Sequence, residues 1–390
     1  MVRQVVILSC AQALVQTASV LVITVGGLAG GIVAASPHLA TAPIATMFLG
    51  TALATFPASA WMMRVGRRAG FVAGALLGTA AGLIAALGMW LESLVVLSLG
   101  TFLVGTYQGT AQFYRFAAAE VADAHFRPRA ISLVLAGGVV AAILGPLLGR
   151  LGGSLFPTPF AGSFVLLAAA SILAAGLLLA LQIPTAPAEG VSGPSRPLLV
   201  IMRQPTYVVA LFGAATGGGV MSLAMTATPP AMIVHQHGLA DAALVIQLHV
   251  LGMFLPSFFT GSLITRYGVL RIMFAGVGLL VAHVLMTLTG TGFYSFAGAL
   301  VFLGVGWNFL FVGGTTLLTE TYRPSERGRA QAANDMSIYV IGVAASLAAG
   351  ALLNLVGWQT LNLLLLPWLA AGALALLWLW FQRRASLANS

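Results

Sequence analysis

The chain has 390 residues, 59% hydrophobic and only 6% charged, against roughly 25% charged in an average soluble domain. A soluble fold has too little interior to hide that much apolar side chain, so lipid must solvate most of it. All 17 basic residues are arginine, the acidic residues number 8 and the net charge is +9; the single cysteine, Cys10, excludes an internal disulfide and a cysteine-built zinc site.

The first apolar stretch, 5–33, follows Arg3 and is too long for the core of a signal peptide, which predicts a retained helix. Eleven more follow, at 40–62, 69–90, 94–117, 130–152, 160–182, 205–229, 242–265, 270–290, 294–318, 330–354 and 359–382. Each has about the 20 residues needed to cross some 30 Å of hydrocarbon. The longest polar interruption, 184–204, is rich in Pro, Ser and Gly. It divides the chain into a six-helix bundle over 1–182, a cytoplasmic linker over 183–204 and a second bundle over 205–390. The expected fold is an all-α membrane protein of twelve transmembrane helices.

Arginine placement gives the orientation. Arg3, Arg64, Arg67, Arg68, Arg115, Arg127, Arg129, Arg196, Arg203, Arg266, Arg271, Arg323, Arg327, Arg329, Arg383 and Arg384 all fall at even-numbered connections or at the termini, and only Arg150 falls opposite. This positive-inside pattern predicts that both termini are cytoplasmic. The positive charge thus follows topology, and the expected surroundings are membrane lipids, with no nucleic acid.

The halves repeat. Arg64-Val65-Gly66 recurs as Arg266-Tyr267-Gly268, an offset of 202, and Glu120, Arg127, Arg129 and Ala130 recur as Glu320, Arg327, Arg329 and Ala330, an offset of 200. Two motifs sharing nearly one offset point to duplicated six-helix halves. The loop Ser59-x-x-x-Met63-Arg64-x-Gly66-Arg67-Arg68 resembles the signature loop of the major facilitator superfamily, with Ser59 and Met63 where that family has Gly and Asp. In the second copy Gly261 and Leu263 match, and Thr265 stands in place of the Asp. The resemblance implies a major facilitator fold with a cytoplasmic gate around Arg64, Arg67, Arg68, Glu120, Arg127, Arg266, Glu320 and Arg327. Glu120 is expected to pin neighbouring helix ends with Arg127, and Asp335 to pair with an arginine nearby. The plain reading of all these charges is orientation and gate structure.

Charged groups deep in the bilayer are costly and mark function, but the acidic residues here fall at span ends or in loops. The soft side chains stand out instead. The seventh span carries Met221-x-x-x-Met225 and the eighth His249-x-x-x-Met253. Residues four apart share a helix face, and both pairs lie roughly 20–27 Å above the cytoplasmic helix ends at 1.5 Å per residue. In an antiparallel hairpin Met221 would face Met253 and Met225 would face His249. Three thioethers and an imidazole suit Cu(I) and not Mg(II) or Ca(II). Methionine is also an ordinary packing residue, so it is the coincidence of both motifs at one depth that points to a metal.

This pair of motifs is similar to that of the CcoA-type copper importers within the superfamily. The resemblance implies a secondary transporter of the bacterial inner membrane that imports copper by alternating access for assembly of cbb3-type cytochrome oxidase. It further implies no prosthetic group, a copper chaperone as partner, and a monomer. Cys10 could receive copper during release, though a lone cysteine of this kind is more often a buried apolar filler. Met232, His235 and His237, after the break expected at Pro229-Pro230, could gather copper at the entrance or be solvated loop groups. His283 and Met286 read as packing on a lipid-facing ninth span. Gln108, Gln112, Tyr114, Arg115 and Asn308 are candidate cavity residues. Gly145-Pro146-x-x-Gly149 resembles the family's antiporter motif and keeps a proton-driven exporter of small organic molecules or drugs as the alternative; its plain reading is tight packing at a proline kink. No nucleophile–base pair suggests an enzyme.

Overall fold

The computed structural model describes residues 1–35, 39, 42–183 and 196–388. The proline- and serine-rich part of the expected linker, 184–195, lies outside them, Glu189 included. The helices are α1 (Val2–Val33), α2 (Ala42–Val65), α3 (Arg67–Trp90), α4 (Leu94–Ala111), α5 (Tyr114–Val121), α6 (Arg127–Gly153) and α7 (Ala161–Leu179), then α8 (Leu198–Met202), α9 (Pro205–Val234), α10 (Leu239–Phe254), α11 (Ser257–Tyr267), α12 (Val269–Thr287), α13 (Phe293–Leu318), α14 (Arg327–Leu363) and α15 (Leu366–Ala388). The described chain is all-helical, as lipid demands when every backbone N–H and C=O must be satisfied within its own segment.

Three expected spans differ in their bounds. The fourth divides into α4 and α5 at Gln112-Phe113, and the eighth into α10 and α11 at Leu255-Pro256. The eleventh runs into the start of the twelfth within α14, whose 37 residues would reach about 55 Å as one straight rod, nearly twice the hydrocarbon thickness. Gly357, at φ 76° and ψ 172°, leaves the helical conformation and marks the end of one crossing. In the opposite sense, α9 runs unbroken through Pro229 and Pro230 to Val234, so the break expected there is corrected. A proline ring removes only the hydrogen bond to the carbonyl four residues earlier. Those carbonyls belong to Met225 and Thr226, and the helix continues past them.

The chain divides into two compact units, Met1–Ala122 with Leu133–Val191, and Asp123–Ser132 with Ser192–Ser390. In the first, α2 crosses α4 where Gly50 and Gly105 allow backbone contact: a β-carbon on Gly105 would collide with the Met47 carbonyl, and one on Gly50 with the Phe102 carbonyl. Small residues at such crossings let dispersion replace the hydrophobic effect, which has no force between helices in lipid. Leu21, Val22, Val25, Met47, Met89, Leu97 and Phe164 close the core around them. Gly145 and Gly149, beside Pro146 of α6, seat against Val20 and Val25 of α1, the close packing that the plain reading of that motif expects.

The second unit repeats the crossing. Gly304 of α13 sits where a β-carbon would be 2.6 Å from the His249 carbonyl and 2.8 Å from the Met253 nitrogen, and Gly252 of α10 where one would be 3.1 Å from the Val301 carbonyl. His249 is the repeat counterpart of Met47, since 249 − 47 is the offset of 202. The tight turns repeat as well. Gly66 and Gly268 both have φ 90°, with ψ 157° and 148°, a region where a β-carbon is strained.

Candidate functional site

The α10–α11 break organises the second unit. Pro256 has no N–H to give the Gly252 carbonyl and bends the helix there. Asn308 of α13 reaches into the bend: its Nδ2 donates to the Met253 carbonyl at 2.7 Å and to Ser257 Oγ at 2.6 Å, and its Oδ1 accepts from Thr260 Oγ1 at 2.7 Å. Asn308 is wholly buried, so it caps the bend and does not line a cavity, as the sequence had suggested. Broken helices with carbonyls released from the ladder are where transporters place substrate and ion sites.

His249 and Met253 are brought together on the side of α10 that meets α13. The His249 ring is fully buried, with Nδ1 2.9 Å from the Leu300 carbonyl. That contact fixes the proton on Nδ1, and among the described residues the buried Nε2 has no hydrogen-bond partner. Met253 is 8% exposed. Met221 and Met225 are half-buried on α9. Along α9, Ala210 and Ala214 meet Gly314, and Gly217 meets Leu310 and Trp307, all of α13. Continued one turn of about 5.4 Å, this register brings Met221 level with Leu303–Gly304, the height of His249 and Met253. Continued by register alone, Met225 follows one turn on toward Leu300, and α13 packs on both α9 and α10. Among the described residues no group of three His, Cys, Asp or Glu could hold a metal.

Beside the bend is an aromatic group that patterning did not single out. Trp307 stacks on Phe311, centroids 4.7 Å apart and planes 15° from parallel, and meets Phe254 edge-on at 6.0 Å. Trp307 and Phe311 are four apart on α13, and Phe254 ends α10, so the signal available in the sequence was an i, i+4 aromatic pair opposite a proline break.

The accessory candidates fare differently. Cys10 is exposed on α1, which corrects its reading as buried filler. Met232 is wholly buried in the last turn of α9 and is no part of an open entrance, because the helix continues past Pro230. His235 is exposed, and His237 Nε2 lies 2.7 Å from the Thr291 carbonyl. Tyr114 and Arg115 are buried where α5 begins, with Arg115 over the Phe116 ring at 4.7 Å, and Gln108 accepts from Thr51 at 3.4 Å. His283 does not face lipid: it is fully buried, held by Ala299 and by Asn362. Met286 does pack, against Gly298.

Glu120 and Glu320 each form an ion pair with an arginine that spacing did not name. Arg67 reaches Glu120 at 2.8 Å in the first unit. The repeat counterpart of Arg67, at 67 + 202, is Val269, and Glu320 pairs instead with Arg383 at 2.6 Å on the surface. Arg196 grips Glu326 through Nη2 at 2.7 Å and Nε at 2.9 Å and also donates from Nη2 to the Thr321 carbonyl at 3.0 Å. These bonds from the Arg196 side chain, joined by the Arg323 and Arg196 backbone N–H groups, hold the Glu326 carboxyl down at about 2 and raise the Arg196 guanidinium. Asp335 is buried, accepting from Asn334 at 3.0 Å.

The Major Facilitator Superfamily profile matches residues 8–255 and again 210–390. The chain belongs to the major facilitator superfamily. It is 42% identical over 368 residues to the riboflavin transporter RfnT of Brucella anthropi, covering 94% of this chain and 92% of that protein. Two solved structures share its fold: the Escherichia coli fucose:proton symporter FucP (TM-score 0.77, 14% identity, 96% of this chain and 98% of that one) and the human organic anion transporter MFSD10 (TM-score 0.76, 15% identity, 96% and 99%). This facilitator is therefore a multi-pass membrane transporter and not an enzyme. Its eleven described stretches long and apolar enough to cross a bilayer accord with that, the last of them, Ala348–Ala385, continuing past the turn at Gly357.

Proposed function

We propose that this facilitator carries riboflavin, or a flavin of the same ring system, across the bacterial inner membrane by alternating access, with both termini cytoplasmic. The observation that carries this reading is the 42% identity to a riboflavin transporter along 94% of the chain. The chemistry beside the helix bend supports it. A flavin is a flat, largely apolar three-ring system, and parallel and edge-on aromatic contacts are its natural partners; Phe254, Trp307 and Phe311 offer both beside carbonyls released from the helical ladder. Alternating access would expose that region to each side of the membrane in turn.

Copper import is the second reading, favoured by one observation. His249 has Nδ1 fastened to a carbonyl and Nε2 buried without a partner among the described residues, the preparation seen in metal-ligating imidazoles. By register Met221 comes level with His249 and Met253, Met225 follows one turn on, and Cu(I) would be the cargo. An organic-molecule exporter is the third outcome to test. The experiment expresses the full chain in a bacterium that lacks riboflavin synthesis and uptake, then measures growth on low riboflavin together with labelled riboflavin and copper accumulation. Growth rescue and flavin accumulation that Trp307→Ala abolishes support the first reading. Copper accumulation without rescue, lost in Met225→Ala/His249→Ala, supports the second. Resistance to added drugs with neither uptake would favour the exporter.

A further inference from the structure

Two histidines are buried in the second unit, and their ring surroundings differ in one respect. His249 meets one acceptor, the Leu300 carbonyl, and its Nε2 meets none among the described residues. His283, one turn before the end of α12, meets two. Its Nδ1 lies 2.9 Å from the Ala299 carbonyl of α13, and its Nε2 lies 2.9 Å from Asn362 Oδ1 of α14.

The Asn362 amide is held in that orientation. Its Nδ2 donates to the Trp358 carbonyl at 2.8 Å, and reversing the amide would set two oxygens against each other at that distance. Both ring nitrogens of His283 therefore face oxygen acceptors. A neutral imidazole carries one N–H and one lone pair, so it can satisfy only one of them and presses its lone pair on the other. The form with a proton on each nitrogen satisfies both. Burial away from water opposes that charge, and the two acceptors act against the burial.

Other charged groups on the helices packed around α12 lie elsewhere. Arg266 and Tyr267 close α11, Arg327, Arg329 and Asp335 lie in the first turns of α14, and Arg383 and Arg384 come late in α15. Along their own helices all of these are several turns from the level of Asn362. Tyr294 is exposed in the first turn of α13. His249 lies on the far side of α13, its ring held by the Leu300 carbonyl next to the Ala299 carbonyl that meets His283. Among the described residues, His283 has no ion pair.

We propose that His283 is a buried proton-binding site: one proton taken from water converts its imidazole to imidazolium, which ties α12 to α13 through Ala299 and to α14 through Asn362, and release of that proton frees one tie. The site stands apart from Met221, Met225, His249 and Met253, and nothing in it depends on which substrate is carried.

The test uses the full chain labelled with 15N-histidine in lipid nanodiscs. Nitrogen NMR from pH 8 to pH 5 reads the protonation of each ring, and loss of one signal in His283→Gln assigns His283. We expect both His283 nitrogens to become protonated in this range while His249 keeps a single proton. Asn362→Leu removes one acceptor of the charged form and should move the His283 midpoint to lower pH by about one unit. Should the Gln variant fail to fold, the signal whose midpoint moves in Asn362→Leu supplies the assignment. Hydrogen exchange in peptides spanning 358–363, corrected for intrinsic rate, should slow on acidification in the parent chain and not in Asn362→Leu. A His283 ring that stays singly protonated down to pH 5 overturns the proposal, as does a midpoint indifferent to Asn362 or an exchange rate indifferent to protonation.

Discussion

The imidazoles of His249 and His283 hang from neighbouring carbonyls of one helix: His249 Nδ1 lies 2.9 Å from the Leu300 oxygen, and His283 Nδ1 lies 2.9 Å from the Ala299 oxygen. Successive residues of a helix point about 100° apart, so α13 holds one ring toward α10 and the other toward α12. The crossing at Gly304 brings α10 close enough for the first contact. The same crossing in the first unit, at Gly105, buries Met47 in an apolar core. Duplication supplied the geometry and divergence supplied the imidazole.

Asn308 should be the residue whose loss is felt most at the bend. Asn308→Leu takes their buried donor from the Met253 carbonyl and the Ser257 hydroxyl, while Thr260 keeps the Pro256 carbonyl as acceptor, at a cost of about 2–3 kcal/mol. We expect a lower melting temperature in detergent and slower riboflavin uptake; Thr260→Val should lose about 1 kcal/mol. Equal melting of parent and Asn308→Leu would refute the capping role.

Gly304→Ala should destabilise the second unit by about 1–3 kcal/mol, because its methyl group meets backbone atoms that cannot move aside. Gly105→Ala should do the same in the first. Gly176→Ala is the control, since nothing lies within 4 Å of its added β-carbon. Thermal unfolding of the three purified variants checks the order.

Glu326 gives a pH dependence with a defined sign. Its carboxyl lies at about 2 in the folded chain, against an ordinary 4.5. The ionised form therefore stabilises the fold above pH 4.5, and that contribution disappears as pH falls from 4.5 toward 2. With Arg196 partly exposed to solvent the amount is on the order of 2 kcal/mol. Melting temperature should drop through this window in the parent chain, and Glu326→Gln should melt lower at pH 7 and more nearly level below it.

Trp307→Ala removes the ring that Phe311 and Phe254 flank. If flavin stacks there, KM for riboflavin should rise by about tenfold, with Trp307→Phe recovering part of it. Cell-surface abundance, measured alongside, separates weaker binding from poorer folding; an unchanged KM at full abundance would exclude Trp307 from the flavin site.

Much of the architecture was legible in the amino-acid order. Apolar stretches of about 20 residues must become helices in lipid, so twelve spans could be read from composition, and two motifs, one from Arg64 and one from Glu120, recurring at nearly one offset pointed to the duplication. Helix interruptions were harder. Pro256 breaks its span while Pro229 and Pro230 do not, since the path of a helix beyond a proline depends on the neighbours it packs against. Asn308, 52 residues after Pro256 (308 − 256), is the neighbour at the bend, donating to the Met253 carbonyl and to Ser257.

For the site, spacing was enough to show which side chains share a helix face and a depth, because both come from the 3.6-residue period and the rise per residue: Met221 with Met225, and His249 with Met253. Where those faces point and what meets them was left to the packing of the helices. Leu300 fixes the His249 ring, Asn362 and Ala299 claim both nitrogens of His283, and Arg196 holds Glu326 from 130 residues away. Hydrogen-bond partners of buried groups come from helices distant in the chain, and a one-residue shift in how two helices cross would exchange them all.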